Sequence, residues 1–491
     1  MTTPFGDVSE ARHIWYTAYG EVRYHMQVIN KEGQYLGMDP QLRIRRGMNS
    51  PFFSFLLLCT TFLLSGQAQA LPSYARQTGH PCIKCHVGGF GPQLTPYGVR
   101  FKIGAYTETD NKGLKIPVAA FVMGGFTHTE KDQPTAPTPH TDVNDNWTLD
   151  QISGFIAGRW FEDVGSFVQV TYNGNTKGLS TDNTDIRYAH DWVIGGHDAI
   201  IGVSLNNNPT VQDPFNTLFA WNFPYISSAV AFGMGDAPGA QITGGLGPAV
   251  WGVSGYTFVD DSILAEVGTY RAYSPAMQIK LGLGAGNDIG RIDDSIYWRL
   301  AYMQDMNTHG FSAGLFGFNV SNQPERIDGG PVNRYRDIGA DAWYEFLGTG
   351  RHNIAAYTSY VREDQTRGDL IANGGATNLT GRLYDFRLNA SYYYAQTYGL
   401  TAGRFSKRGS PDPTFYSFSA TGSPDTTGTI LQVDYTPFGK PDSWGRPFAN
   451  VRFGLQYTLY DKFDGASSNY DGSGRNASDN NTLYFFVWAA I

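Results

Sequence analysis

The chain has 491 residues and is 41% hydrophobic and 14% aromatic, yet only 16% charged, against about 25% in ordinary soluble chains. Only one stretch, 52–64, approaches a helical membrane segment, which excludes a bundle of transmembrane helices. A formal charge of −8 excludes a general nucleic-acid binder, which needs a basic footprint. With 59 Gly, 30 Tyr and 31 Phe, what remains is a large Gly- and aromatic-rich β protein.

Residues 1–47 read as an upstream or mis-started segment, with Met38 and Met48 as candidate starts. Arg43, Arg45 and Arg46 then precede the apolar run 52–64, and Ala68-Gln69-Ala70 supplies a small-x-small cleavage pattern. Positive, apolar, then small is the order of a secretion signal, so 48–70 is its core and the mature chain begins at Leu71. The run is too short to serve comfortably as a membrane anchor. Leu58 stands where a lipoprotein would need a small residue before Cys59.

Beyond the signal only two of the 3 cysteines remain, in Cys82-Ile83-Lys84-Cys85-His86. This is the C-x-x-C-H pattern of c-type haem attachment. Its two thiols add across the haem vinyl groups, and the adjacent imidazole reaches the iron from the proximal side. A zinc site would need a second pair of ligands, and a thioredoxin-like dithiol would need a βαβ context; neither is present. The segment 71–115 is predicted as a small, mostly helical domain carrying one covalent haem c. Its best helix opens at Thr95-Pro96, with Thr95 as cap and Pro96 at the first helical position. So short a segment cannot bury a haem alone. Something else must complete the pocket.

From 116 onward apolar and polar residues alternate with period two. In 295–303, Ile296, Trp298, Leu300 and Tyr302 oppose Tyr297, Arg299, Ala301 and Met303. In 450–460, Val451, Phe453, Leu455, Tyr457 and Leu459 oppose Asn450, Arg452, Gly454, Gln456 and Thr458. Sixteen such stretches follow: 117–128, 149–161, 164–174, 184–195, 198–207, 247–258, 262–272, 294–305, 309–320, 334–346, 351–362, 379–394, 397–407, 427–436, 448–461 and 480–491. Short links (162–163, 196–197, 347–350, 395–396) alternate with long polar ones (129–148, 208–246, 408–426, 462–479), 437–447 being the exception. An even strand number with short turns at one end and long loops at the other predicts an all-β outer-membrane barrel over 116–491. Trp160, Trp298, Trp343, Tyr344, Tyr457, Tyr460 and Trp488 lie toward strand ends, as interfacial girdles require. A secreted sandwich or propeller would share the alternation but not the loop asymmetry. The closing Ile491 departs from the aromatic ending usual in such barrels.

Sixteen strands enclose a lumen. The haem segment is expected to plug it from the periplasmic side and use its walls as the missing pocket. The loop 208–246, rich in Pro and aromatics, is a candidate to fold inward; an ordered surface loop is the plain alternative. The distal haem ligand is expected from the barrel. Among Met123, Met234, Met277, Met303 and Met306, the first choice is Met303, which alternates with outward residues and so faces the lumen. His80 is an imaginable alternative, awkwardly close to Cys82.

A secretion signal, one C-x-x-C-H near the mature N-terminus and about sixteen strands together resemble the fused monohaem cytochrome–porin family, the outer-membrane iron-oxidising cytochromes. Only Cys82, Cys85 and His86 match at motif level. The resemblance implies that extracellular Fe(II), or another one-electron donor, gives an electron that the haem relays to a periplasmic cytochrome or other carrier. The reading from another class is a passive diffusion porin whose haem domain is a plug or docking element. Lumen carboxylates such as Asp341, Glu345, Asp385 and Asp434 suit either, as do partnership with outer-membrane lipid and the lack of nucleic-acid binding.

Overall fold

The structure, a computed structural model, describes residues 71–491 except 114, 285–287, 349 and 444–448, and the backbone of three strands ahead of them. Those three, β1 (Ala11–Ala18), β2 (Glu21–Ile29) and β3 (Tyr35–Met38), form an antiparallel meander in a separate unit. The signal run and its cleavage site lie outside the described residues.

The second unit contains a closed barrel of sixteen antiparallel strands. Its first half is β4 (Val118–Thr129), β5 (Asn146–Phe161), β6 (Val164–Asn173), β7 (Gly178–Ile194), β8 (His197–Asn206), β9 (Val250–Val259), β10 (Ile263–Ala272) and β11 (Arg291–Asp305). The second half is β12 (His309–Gln323), β13 (Asn333–Phe346), β14 (His352–Arg367), β15 (Thr380–Tyr394), β16 (Tyr398–Gly409), β17 (Thr426–Tyr435), β18 (Asn450–Lys462) and β19 (Thr482–Ala490). Every strand pairs with its chain neighbour, and β19 closes on β4 with Trp488 opposite Met123. All sixteen coincide with the strands read from periodicity. The largest boundary difference is at β7, which begins at Gly178 instead of 184. Its polar run Ser180-Thr181-Asp182-Asn183 has no apolar alternation, yet it continues the ladder to β6 past a bulge at Val168/Val170.

Links 162–163, 195–196, 260–262, 306–308, 347–351 and 395–397 turn at one end, while 130–145, 207–249, 410–425 and 463–481 lie at the other. The faces are inverted relative to a soluble protein. Leu388, Leu431, Val433 and Leu455 are exposed on the outside, while Asp385, Arg387, Gln432 and Gln456 are buried within. This is the pattern of an outer-membrane barrel, whose exterior faces hydrocarbon and whose backbone polar groups are all paired between strands.

The lumen is filled rather than open. The 207–249 loop folds inward, bonded to the wall on several sides. Gln456 Nε2 donates to the Ile226 carbonyl at 2.8 Å, and the N–H groups of Gln241 and Ile242 donate to Glu363 and Asp337, each at 2.7 Å. Asp213 anchors the loop: its carboxylate accepts the N–H groups of Phe215, Thr217 and Leu218 at 3.0, 2.8 and 2.9 Å. Burial pushes the Asp213 pKa up, but the Arg299 guanidinium at 3.4 Å and these donors outweigh it and hold it below the usual range. Arg299 also pairs with Asp341, whose carboxylate accepts the Thr217 hydroxyl.

Two expectations follow. Arg299→Met strands two buried carboxylates, so it should cost about 3–5 kcal/mol and lower the unfolding midpoint. By freeing the loop it should also raise single-channel conductance in planar bilayers. The orientation is checked by a membrane-impermeant maleimide on intact cells: Pro139→Cys and Ser468→Cys should label directly, and Glu162→Cys only after the outer membrane is breached.

Candidate functional site

The segment 71–106 sits inside the barrel at the short-turn end. Helix Pro72–Thr78 stops at Gly79, whose left-handed backbone returns its N–H to the Ala75 carbonyl at 2.9 Å. Cys82–Cys85 forms a single helical turn, and the His86 N–H closes it on the Cys82 carbonyl at 2.8 Å. Helix Pro96–Ile103 opens as expected from its sequence. Thr95 accepts the Gly98 N–H at 3.2 Å, with Pro96 in the first turn. Thr95 also ties this helix to the cysteine turn, its N–H donating to the Cys85 carbonyl at 2.9 Å and its hydroxyl to the Lys84 carbonyl at 2.6 Å. The helix approaches so closely at Gly98 that any Cβ there would collide with the Cys85 carbonyl oxygen.

The barrel wall holds the 87–94 stretch that follows His86. Asn450 Nδ2 donates to the Gly89 carbonyl at 2.8 Å, Arg452 Nη2 to the Phe90 carbonyl at 2.7 Å, and Tyr357 Oη to the Leu94 carbonyl at 3.2 Å. The helices are held in the same way: Tyr256 Oη donates to the Ile103 carbonyl at 2.6 Å, and Tyr106 Oη to the buried Asp185 at 2.6 Å. On the lumen side Lys102 is buried, and its ammonium donates to the Val211 and Asp213 carbonyls and to Asn216 Oδ1 at 2.7, 2.8 and 3.0 Å. Burial and the Arg187 charge push the Lys102 pKa down to about 8, against the pull of Asp185 and Asp213. At neutral pH it stays an ammonium with all three donors in use.

Between these parts lies a partly enclosed apolar cavity. It is lined by Cys82, Cys85, His86 and His80 from the segment, by Phe121, Phe155, Phe167 and Trp488 from β4, β5, β6 and β19, and by Val211, Asn216 and Trp221 from the inward loop. His86 Nδ1 is buried with no hydrogen-bond partner, and burial pushes the imidazole pKa down to about 4. The ring is therefore neutral at physiological pH, the form that binds metal. Burial and the neighbouring Cys82 push the Cys85 thiol up to about 12, which disfavours the thiolate that dithiol exchange needs. Two thiols and a neutral imidazole opening on one apolar cavity are a donor set that fits a haem, which Cys82 and Cys85 would hold covalently and His86 would ligate. Among the described residues, no group of three or more His, Cys, Asp and Glu side chains is placed to hold a bare metal ion.

Met303 faces inward and is wholly buried, as its strand position predicts, but it packs with Val87, Leu94, Val99 and Ile103 and does not line the cavity. None of the other methionines lines it: Met123 packs beside Phe121, Met234 lies against the Phe223 group, and Met277 and Met306 are exposed. His80 is the second imidazole at the cavity. The lumen carboxylates are engaged as structural partners: Asp341 with Arg299, Asp385 with Arg387 at 2.7 Å, Glu345 with Tyr357 at 2.7 Å and Asp434 with Gln432 at 2.8 Å. Sequence reasoning missed Lys102 and the wall residues. Phe121, Phe155 and Phe167 carry a readable signal, being aromatic on the inward face where a lumen calls for polar residues.

No protein-family model matches the sequence, and no curated protein matches it. Solved structures similar to it include the outer-membrane channel DcaP of Acinetobacter baumannii (11% identity, 78% of this chain and 99% of that one, TM-score 0.42). Others are Salmonella typhi OmpF in complex with daunomycin (14%, 78% and 99%, 0.43) and a loop-deletion mutant of OmpT from Vibrio cholerae (12%, 76% and 97%, 0.40).

The site yields two expectations. Lys102→Met leaves three buried acceptors without a donor, at about 1–3 kcal/mol each, and should lower thermal stability and loosen the cavity. Since no methionine among the described residues lines the cavity, Met303→Leu should leave the absorption spectrum and potential of any haem bound there unchanged.

Proposed function

We propose that this chain is an outer-membrane c-type cytochrome fused to its own barrel, passing single electrons between the outside and periplasmic carriers. One observation carries the reading. Cys82, Cys85 and His86 share a cavity that the segment cannot form alone, whose remaining walls are barrel strands and the inward loop. A haem c attached there supplies a reversible one-electron step.

The chain's own residues do the rest. Cys82 and Cys85 would hold the group covalently, and neutral His86 would offer a ring nitrogen to its iron. The phenylalanines and Trp488 keep water off the ring, which lets the protein tune its potential through burial. His80, partly exposed at the cavity, marks an edge open to a periplasmic partner at the short-turn end. Trp221, edge-on to Phe167 at 5.9 Å, closes the side toward the long loops. The donor we propose is extracellular Fe(II), as the family resemblance implies; its electron would cross the packed loop to the cavity, so that iron itself need not enter the periplasm. The filled lumen counts against the passive-porin reading, since loop and plug together occupy the path a solute would take.

The test is anaerobic addition of Fe(II) to the purified holoprotein in detergent. Stoichiometric appearance of the reduced haem spectrum is expected. A haem that stays oxidised, together with open-porin conductance in planar bilayers, would favour the plugged-channel reading instead.

A further inference from the structure

The outside of the barrel is not uniform. Outward positions near the long-loop ends of β13–β16 carry six arginines: Arg334, Arg336, Arg362, Arg382, Arg404 and Arg408. Asp364 lies among them, shared by Arg362 at 2.9 Å and Arg382 at 3.0 Å. Arg404 reaches sideways to Asp461 on β18 and to the Thr429 hydroxyl at 2.9 Å. Among the described residues, Arg334, Arg336 and Arg408 have no carboxylate partner; Arg408 Nε donates only to Ser406 Oγ at 3.1 Å. The corresponding ends of β4, β8 and β9 present Phe126, His128, Leu205, Trp251 and Val253. The positive charge is therefore a one-sided patch, not a solvated rim.

Its height is set by the tyrosines. On β15 the outward Tyr392 and Tyr384 lie on the order of 27 Å apart along the strand at about 3.4 Å per residue. At the usual tilt this is about 20 Å along the membrane normal, close to the roughly 25 Å apolar band of such barrels. Tyr384 and Tyr360, stacked at 6.4 Å, thus mark the outer edge of the band. The register puts Arg362, Tyr384 and Arg408 in one row across three strands, with Tyr360, Phe386 and Ser406 in the row below. An open groove runs between them, its sides Arg382, Arg404 and Arg408 and its floor Tyr360, Tyr384 and Phe386; Asp425, ion-paired with Lys462 at 3.3 Å, also lines it.

We infer that this groove binds a phosphorylated glycolipid of the outer leaflet. The arginines take its sugar phosphates, and the aromatic floor takes the first part of an acyl chain. Guanidinium groups match phosphate in charge and in bidentate geometry; Arg408 lines the groove with no carboxylate partner, and Arg334 and Arg336 flank it on the neighbouring strand β13. Arg404, one row deeper than the floor beside Leu388, reaches up from within the band, as snorkelling side chains do. The inference rests on the outer-membrane placement with long loops outward, and not on the haem.

The test is native mass spectrometry of the full protein after exchange into detergent with added diphosphoryl lipid A. Arg334, Arg336 and Arg408 are changed together to Gln, which breaks no ion pair, and heat-modifiable gel mobility reports folding. Wild type should retain lipid A, and the triple variant should retain about tenfold less or lower still, the worth of one charged hydrogen bond or more. Should the triple variant not fold, Arg408→Gln alone should still reduce retention measurably. Monophosphoryl lipid A should bind more weakly than the diphosphoryl form. Equal retention by wild type and folded variant, or displacement of lipid A by millimolar inorganic phosphate, would overturn the inference. Membrane fractionation of the same cells separates such a failure from an error in the outer-membrane placement.

Discussion

A single buried ammonium joins the three parts of this molecule. Lys102 belongs to the helix packed on the cysteine turn, yet its three hydrogen bonds all end on the inward loop. One of those acceptors belongs to Asp213, which is itself held by Arg299 of the barrel, a guanidinium it shares with Asp341. Segment, loop and wall are thereby linked through buried charged groups. The network is costly to break at any point, because every partner left behind is a buried charge or an unsatisfied carbonyl.

This linkage answers a problem of size. About 35 residues around the motif bury too little apolar surface to enclose a cofactor-sized cavity on their own. The barrel supplies what is missing in two forms. Its inward aromatics Phe121, Phe155, Phe167 and Trp488 form a wall. Its inward polar residues, among them Asn450, Arg452 and Tyr357, satisfy the backbone carbonyls of a stretch that has almost no regular structure. A lumen lined by both is neither an ordinary pore nor an ordinary core.

The sequence made much of the architecture legible. Period-two alternation located all sixteen strands, because lipid outside and polar groups inside impose opposite demands on neighbouring residues. Loop lengths separated the two ends, and the Thr95-Pro96 pair announced its helix. Where polarity did not alternate, as at Ser180–Asn183 in β7, the start of the strand was lost. The site was legible only at Cys82, Cys85 and His86. Periodicity states which face a residue takes but not which residues meet across the lumen, so Met303 was correctly turned inward while its place around the circumference stayed out of reach. Lys102 was hidden for the same reason: its partners lie more than a hundred positions away along the chain.

The account turns on whether the cavity holds a covalent haem. The direct measurement is the intact mass and haem stain of the protein produced in cells competent for cytochrome c maturation, beside Cys82→Ala and Cys85→Ala together. The account predicts the added mass of one haem on the wild-type chain and its complete loss in the double variant, with the barrel still folded. A wild-type chain without added mass, or covalent haem that survives the loss of both thiols, would contradict it.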